Sequence, residues 1–251
     1  MGSLAAPAPC GGWESPITAG LLVAGAAAPG EVVVEGDRVW WSESRPDEGG
    51  RNVVVRDGVE AVPPGTNVRT LVHEYGGGAW WAFDGTLVYS LYDDQRLYRL
   101  DPDGPAGGGP VALTPEPGVL RGLRYADGRP TPDGCWYVCV REAHPGAGGP
   151  GVGPGGEPAN EIVAVALDGS QRVEVLVSGP DFVSSPRISP DGRRLAWIQW
   201  DHPNLPWDDT ELWLADLGDG VVSGVRRVGR GHGESFFQPE WRPDGVLHVV
   251  T

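Results

Sequence analysis

Apolar residues in this chain come in short runs and hardly ever recur at a helical period. Runs such as Val39-Trp40-Trp41-Ser42, Val53-Val54-Val55, Leu87-Val88-Tyr89-Ser90, Trp136-Tyr137-Val138-Cys139-Val140 and Leu195-Ala196-Trp197-Ile198 are β-branched or aromatic, and Gly, Pro, Asp and Asn bound them. This pattern predicts short strands. One stretch, 15–23, reads as a helix. Ser15 is placed to cap it, and Pro16 at the first helical position forfeits no hydrogen bond.

The strands repeat. A turn built on Asp and Gly precedes a strong apolar strand five times, at Gly36-Asp37, Asp84-Gly85, Asp133-Gly134, Asp191-Gly192 and Asp244-Gly245. The aspartates are 47, 49, 58 and 53 residues apart, and the last three follow Pro132, Pro190 and Pro243. Asp-Gly is a strong hairpin signal because the glycine accepts a positive φ that matches strand twist. After four of these strands a polar loop leads to a second strand, over 52–56, 96–100, 161–167 and 211–217. Each of these ends in a further turn, at Asp57-Gly58, Asp103-Gly104, Asp168-Gly169 or Asp219-Gly220. Weaker outer segments follow, such as 111–113 and 173–177.

A repeat of about 50 residues carrying four strands is the signature of a propeller blade. The expected fold is all-β: an incomplete β-propeller of four-stranded antiparallel blades, four plus the start of a fifth. Residues 1–30 form an N-terminal segment with the short helix. The blades fall at 31–68, 69–115, 119–178 and 182–230, and 234–251 begins the next one. A ring cut inside a blade leaves strand edges open, so the sequence reads as the N-terminal fragment of a longer protein. The alternative is a four-bladed ring whose last strand closes the first blade.

Charge narrows the partners. With 34 acidic residues against 19 arginines and no lysine, the formal charge is −15. Nucleic acid and anionic membranes both attract clustered cations, so neither is an expected partner. No stretch reaches the ~18 apolar residues of a spanning helix, and no basic region precedes 21–28 as a secretory signal requires. A cytoplasmic protein is expected. Forty glycines and 25 prolines are many, yet 11 Trp, 6 Tyr and 4 Phe among aliphatic runs exclude a disordered tract. The Gly/Pro-rich stretch 143–159 reads as a surface insertion in the third repeat. Cys135 and Cys139 lie on one strand face roughly 13 Å apart, too far for a disulfide. They read as reduced, buried thiols, against a competing metal pair with His144. No cofactor and no metal are expected.

Other propeller signatures fit poorly. WD blades need Gly-His before Trp-Asp, whereas Gly231-His232 follows Trp200-Asp201 and Trp207-Asp208. Sialidase-type Asp boxes need a spacer that Ser189-Pro190-Asp191-Gly192 lacks, and the kelch-like doublet within Gly76-Gly77-Gly78 does not repeat. The string from Ser189-Pro190-Asp191-Gly192 to Trp197 resembles TolB-like propellers and those of prolyl-oligopeptidase-family serine peptidases. Longer strings favour the second group: Trp13-Glu14-Ser15-Pro16-Ile17-Thr18, His73-Glu74-Tyr75-Gly76-Gly77-Gly78-Ala79, Trp200-Asp201-His202-Pro203-Asn204-Leu205-Pro206-Trp207-Asp208, and Phe237-Gln238-Pro239-Glu240-Trp241. Over 13–251 the chain is similar to the propeller of the acylaminoacyl-peptidase and dipeptidyl-aminopeptidase-like branch.

That resemblance implies a propeller that gates the access of short peptides to a C-terminal α/β-hydrolase domain carrying a Ser-Asp-His triad. The chemistry needs a Gly-x-Ser-x-Gly elbow, and this sequence contains none. No catalytic residue is therefore expected in this chain, which is expected to be inactive alone. The alternative function is a stand-alone TolB-like propeller acting as a protein-interaction scaffold.

In a propeller, the loops joining second and third strands leave the disc on one face. Here they are 43–51, 93–96, 141–160 and 201–210. Glu43, Arg45, Arg51, Arg96, Arg141, Glu142, Asp201, His202, Asn204, Trp207 and Asp208, together with His73 and Glu74, are candidates for the substrate path or the domain interface. Arginines offer a bidentate fork to a peptide carboxylate, and carboxylates suit a peptide N-terminus. The competing reading is solvated loops tied by local ion pairs. His73-Glu74 is not a zinc helix motif, because residue 77 is Gly. It is expected to fix the start of the second blade while 76–78 allow close packing near the central channel. Asp101-x-Asp103-Gly104 lacks the downstream Glu of a calcium loop and reads as a turn.

Overall fold

A computed structural model describes residues 12, 15–104, 108–148, 153, 156–218, 221–230 and 233–251. Trp13-Glu14, Asp219-Gly220, Gly231-His232, and 149–152 and 154–155 of the Gly/Pro stretch lie outside the described residues.

Five antiparallel sheets follow one another along the chain, each with its strands in sequence order. The first holds β1 (Ala28–Glu35), β2 (Arg38–Arg45), β3 (Arg51–Arg56) and β4 (Val59–Glu60). The second holds β5 (Trp80–Phe83), β6 (Thr86–Ser90), β7 (Leu97–Leu100) and β8 (Val111–Ala112). The third holds β9 (Leu123–Pro130), β10 (Trp136–Ala143), β11 (Ala159–Ala166) and β12 (Val173–Val177). The fourth holds β13 (Phe182–Ile188), β14 (Arg194–Trp200), β15 (Glu211–Gly218) and β16 (Val221–Arg230). A pair, β17 (Phe237–Trp241) and β18 (Leu247–Val250), comes last. The first strands of successive sheets pack on one another, β1 on β5, β5 on β9, β9 on β13 and β13 on β17. They therefore line the axis of an incomplete β-propeller. Among the described residues no helix is long and apolar enough to cross a membrane.

Apolar side chains fill the spaces between blades. Trp40 and Val54 meet Trp80 and Tyr89, Val88 and Leu97 meet Tyr125 and Tyr137, and Val138 and Ile162 meet Val183 and Trp197. Middle strands are covered on both faces, so β10 and β11 are buried almost throughout and their sequences do not alternate. Burial of each aliphatic side chain contributes roughly 1.5–3 kcal/mol.

The repeated turns form as their sequences dictate. Asp84 (φ 47°) and Gly85 (φ 72°) both take the left-handed conformation of a two-residue hairpin. In the Pro-Asp-Gly turns the glycine N–H donates three residues back, to Thr131 O, Ser189 O and Arg242 O at 2.8–2.9 Å. Each Asp Oδ1 accepts the N–H two residues on, from Cys135, Arg193 or Val246.

A hydrogen-bonded belt ties the inner strands together. β1, β9, β13 and β17 each break register once, and Asp127, Ser185 and Gln238 at three of the breaks have φ of 50–55°. Gly78 N donates to Glu31 Oε1 (2.9 Å), Asp127 N to Gly78 O (2.7 Å), and Ser185 N to Asp127 Oδ2 (2.8 Å). Arg187 then pairs with Asp127 (3.0 Å) and Glu240 (3.0 Å). All five sheets are joined in this way.

Two local expectations are corrected. The helix α1 is Ala19–Val23, and its cap is Thr18, whose hydroxyl accepts Leu21 N. Ser15 instead closes a small turn by accepting Ile17 N. Cys135 is exposed because it belongs to the Asp133-Gly134 turn and β10 starts one residue later, whereas Cys139 is buried and its thiol pKa is pushed up by burial.

Candidate functional site

The segment 69–79 crosses from the first blade to the second and carries His73. His73 (φ 54°) and Glu74 (φ 67°) are left-handed, as are Gly76 and Gly78. That conformation is costly for residues with a Cβ. It is held by Glu74 N donating to Leu71 O, Gly76 N to Val72 O, and His73 N to Glu142 Oε2 at 2.8 Å. A Cβ on Gly76 would lie 2.5 Å from Thr70 O, so only glycine fits there.

The His73 ring sits in an aromatic cluster. It meets Phe182 (5.5 Å) and Trp200 (5.7 Å) edge-on and Tyr75 at 5.9 Å. Phe182 stacks on Trp200, and His202 meets Phe182 at 5.0 Å. His73 Nε2 lies 3.1 Å from Asn160 Oδ1. Burial holds the His73 pKa below 6.5, so the ring is neutral at neutral pH.

Beside the ring lies a charged row set by strand register. Arg124, Glu142 and Asn160 are successive cross-strand partners on β9, β10 and β11. Glu142 is buried, and its Oε1 accepts from Arg124 Nη1 (2.9 Å) and contacts His144 Nε2 (2.6 Å). Arg124 also reaches Glu74 Oε1 (2.6 Å), which holds the Glu74 pKa below the usual carboxylate range. Ligand atoms of Glu74, Glu142 and His144 lie within 4.8 Å of one another, and the Arg124 guanidinium is the cation between the two carboxylates. A cleft of about 640 Å³ opens here, walled by His73, Glu74, Glu142, Glu157, Glu161, Asp181, Phe182 and His202. Among the described residues its walls carry carboxylates and aromatic rings but no arginine. Such a surface suits a cationic group with an apolar neighbour.

The sequence candidates divide. His73, Glu74, Glu142 and His202 meet at this cleft, and Asp201 supports it by accepting Asp181 N (2.8 Å) while Asp181 accepts His202 N. Asn204 and Asp208 shape the loop after β14 through Asp201 O and Leu205. Trp207, on the same loop, is exposed and borders a central cavity. Glu43, Arg45 and Arg51 are elsewhere, in an ion-pair cluster on the first blade. There Arg45 meets Glu43 (3.1 Å) and Glu60 (2.7 Å), and Arg51 meets Glu60 (2.6 Å). Arg96 donates to Thr114 O. Arg141 is buried against Glu161 (Nε–Oε2 2.9 Å), facing Tyr125 rather than His73.

The chain is similar to known proteins. A puromycin-hydrolysing peptidase from Mycobacterium tuberculosis is 39% identical over 95% of this chain and 37% of its own, with a TM-score of 0.82. The chain is a homologue of the propeller region of prolyl-oligopeptidase-family peptidases. It spans little more than a third of that peptidase's length. Prolyl oligopeptidase B from Galerina marginata is 13% identical over 89% of this chain and 34% of its own (TM-score 0.56). A TolB-type protein from Agrobacterium tumefaciens is 20% identical over 84% and 69% (TM-score 0.51). Both of these likenesses are of fold alone. No family model matches the chain, and neither does any curated protein.

In this peptidase-type propeller the inner strands enclose the central cavity, of about 860 Å³, which the belt of Glu31, Asp127, Arg187 and Glu240 borders. Sequence reasoning missed Asn160, Asp181 and Phe182 in the cleft wall, and Arg124 and Trp200 as the residues that back it. A signal existed for Arg124 and Asn160: pairing β9, β10 and β11 through their turns brings both opposite Glu142. None existed for Phe182, and Trp200, which opens the string 200–208, carried no sign of where its ring would lie.

Proposed function

We propose that this chain is the substrate-gating propeller portion of a cytoplasmic serine peptidase that cleaves short peptides, acylaminoacyl- or dipeptidyl-peptidase-like. The observation that carries the reading is the 39% identity to a puromycin-hydrolysing peptidase over nearly the whole chain. An α/β-hydrolase domain supplies the nucleophile, because the elbow motif is not in this sequence. The His73 cleft contributes a wall of the substrate path. Arg124 offsets one charge of the Glu74–Glu142 pair and Arg141 that of Glu161. With Glu157 and Asp181 the wall therefore stays net negative and attracts the ammonium of a free amino terminus, while its rings pack the neighbouring side chain. Puromycin, an aminoacyl amide with a free amine, is of the same chemical class.

The test uses the full-length protein with dipeptide amides whose N-terminus is free or acetylated, and with puromycin. Glu74→Gln is expected to raise KM for the free amines and leave acetylated substrates unchanged, since the Glu74 side chain is 76% exposed and its loss spares the fold. Equal KM values for both classes in wild type and variant overturn the gating role. This chain alone is expected to show no hydrolysis and no labelling by a serine-directed fluorophosphonate, and specific labelling of one of its serines refutes the reading.

A further inference from the structure

One arginine beside the belt has, among the described residues, no carboxylate within hydrogen-bond reach, its one ion-pair contact being a long one to Asp127. Arg129 ends the register break of β9 and lies in the wall between the central cavity and a second cavity of about 580 Å³ on the side of the Asp-Gly turns. Its guanidinium lies 3.4 Å from the centroid of the Trp81 ring. Nη1 donates to Gly128 O (2.9 Å), and the nearest carboxylate oxygen, on Asp127, is 3.9 Å away. Among the described residues Nε and Nη2 meet no acceptor. Neither is among the sealed polar atoms that lack a partner, so both open onto the cavities. Burial lowers the Arg129 pKa, and the Arg187 cation nearby lowers it further.

Arg187 borders both cavities as well. It is held by Asp127, which the belt fixes, and by Glu240, which is 60% exposed. An exposed carboxylate of this kind contributes little to stability and is easily exchanged. We propose that Arg129 and Arg187 form a binding site for a ligand carboxylate, which takes the place of Glu240. The exchange keeps the local charge constant while the incoming group gains the free edge of Arg129, a fork suited to bidentate recognition. Glu31, the other carboxylate of the belt, accepts Gly78 N and, though its charge is felt by both arginines, makes no ion pair with either among the described residues. The two arginines do not line the cleft of Glu142, Asp181 and His202, although His73 borders both that cleft and the central cavity, and the site does not depend on the peptidase reading. The carboxylate comes either from a peptide C-terminus or from a small free acid.

The experiment titrates the chain, at constant ionic strength, with acetate, with a dipeptide free acid and with the same dipeptide as its C-terminal amide. Tryptophan fluorescence is the readout, since Trp81 lies against Arg129 and Trp241 borders the same cavity. A saturable change with a carboxylate and none with the amide is expected. Response to the dipeptide acid assigns a peptide terminus, and response to acetate alone assigns a small acid. Arg129→Gln is expected to abolish the response. Glu240→Gln, which removes the resident competitor, is expected to tighten binding several-fold, and a structural role for Glu240 predicts no such gain. No saturable response in wild type, equal binding of the amide, or unchanged affinity in Glu240→Gln overturns the proposal, the last even where Arg129→Gln does not fold.

Discussion

Gly78 and Asp127 touch backbone to backbone across the boundary between the second and third blades. Asp127 N donates to Gly78 O at 2.7 Å, and a Cβ built on Gly78 would lie 2.7 Å from Asp127 Cα. Gly78 also has φ of 60°. The triple glycine therefore serves the belt, through Gly78, as well as the His73 turn, through Gly76.

Gly78→Ala combines a left-handed Cβ penalty with overpacking against a backbone that cannot retreat. The expected loss is roughly 2–5 kcal/mol, read as a lower urea midpoint at unchanged slope. Gly77→Ala, where a Cβ meets nothing within 4 Å, is expected to cost less despite its φ of 119°. Equal effects of the two would show that the contact with Asp127 carries no energy.

Arg141 and Glu142 are adjacent in sequence and do different work, because successive strand residues point to opposite faces. Arg141 is sealed against Glu161, with side chains 7% and 3% exposed. Glu161→Leu leaves a buried guanidinium without its partner and is expected to cost about 3–5 kcal/mol. The double change Arg141→Met with Glu161→Leu is expected to recover most of that loss. A double variant no more stable than the single one would mean that the pair is not coupled as the geometry shows.

Much of the architecture was legible because it is written locally. Each Asp-Gly turn is fixed by two residues and a φ sign, so the repeat was visible from the chain alone. The helix cap was misplaced because Ser15 and Thr18 both suit a cap, and which hydroxyl meets an amide depends on where the turn starts. The belt was invisible. Asp127, Ser185 and Gln238 share no residue type, and their common feature is a backbone angle at a register break. The cleft was half visible. Loop position drew attention to Glu142 and His202, but it equally suggested Arg45 and Arg96, whose partners lie within their own blades. Telling these apart requires knowing which face of each strand looks toward the next blade.

Stability is expected to depend on pH through His73. Its folded pKa is lowered by burial, so below the unfolded value of 6.5 the unfolded chain binds a proton that the folded one refuses. The contribution of neutral His73 is therefore complete above 6.5 and declines as pH falls, until the folded pKa is passed. Glu60, lowered by Arg51, loses its contribution only below 4.5, whereas Glu31, raised by burial, works in the opposite sense as pH falls. Unfolding of wild type and His73→Gln between pH 7.5 and 5 separates the terms. The wild-type curve is expected to fall more steeply below 6.5, and parallel curves would remove His73 as the cause.

The last strand is expected to make the chain self-associate. Among the described residues β18 pairs only with β17, and Phe237, Val246 and Val250 are exposed there. An uncharged, β-branched edge of this kind templates pairing with another chain. The opposite face of the hairpin is different, since Leu247 and Val249 cover Ile198, Trp200 and Leu212 of the fourth blade. Cutting the chain back to 1–230 would therefore remove the sticky edge and also uncover that cluster, forfeiting roughly 1.5–3 kcal/mol for each aliphatic side chain withdrawn. A single charge on the exposed face avoids this. Val250→Lys is expected to abolish concentration-dependent sedimentation while leaving the thermal midpoint nearly unchanged, whereas the shortened chain is expected to unfold at lower temperature. A wild-type chain that sediments as a monomer at every concentration, or a Val250→Lys variant that associates as wild type does, would show that this edge is not the site of association.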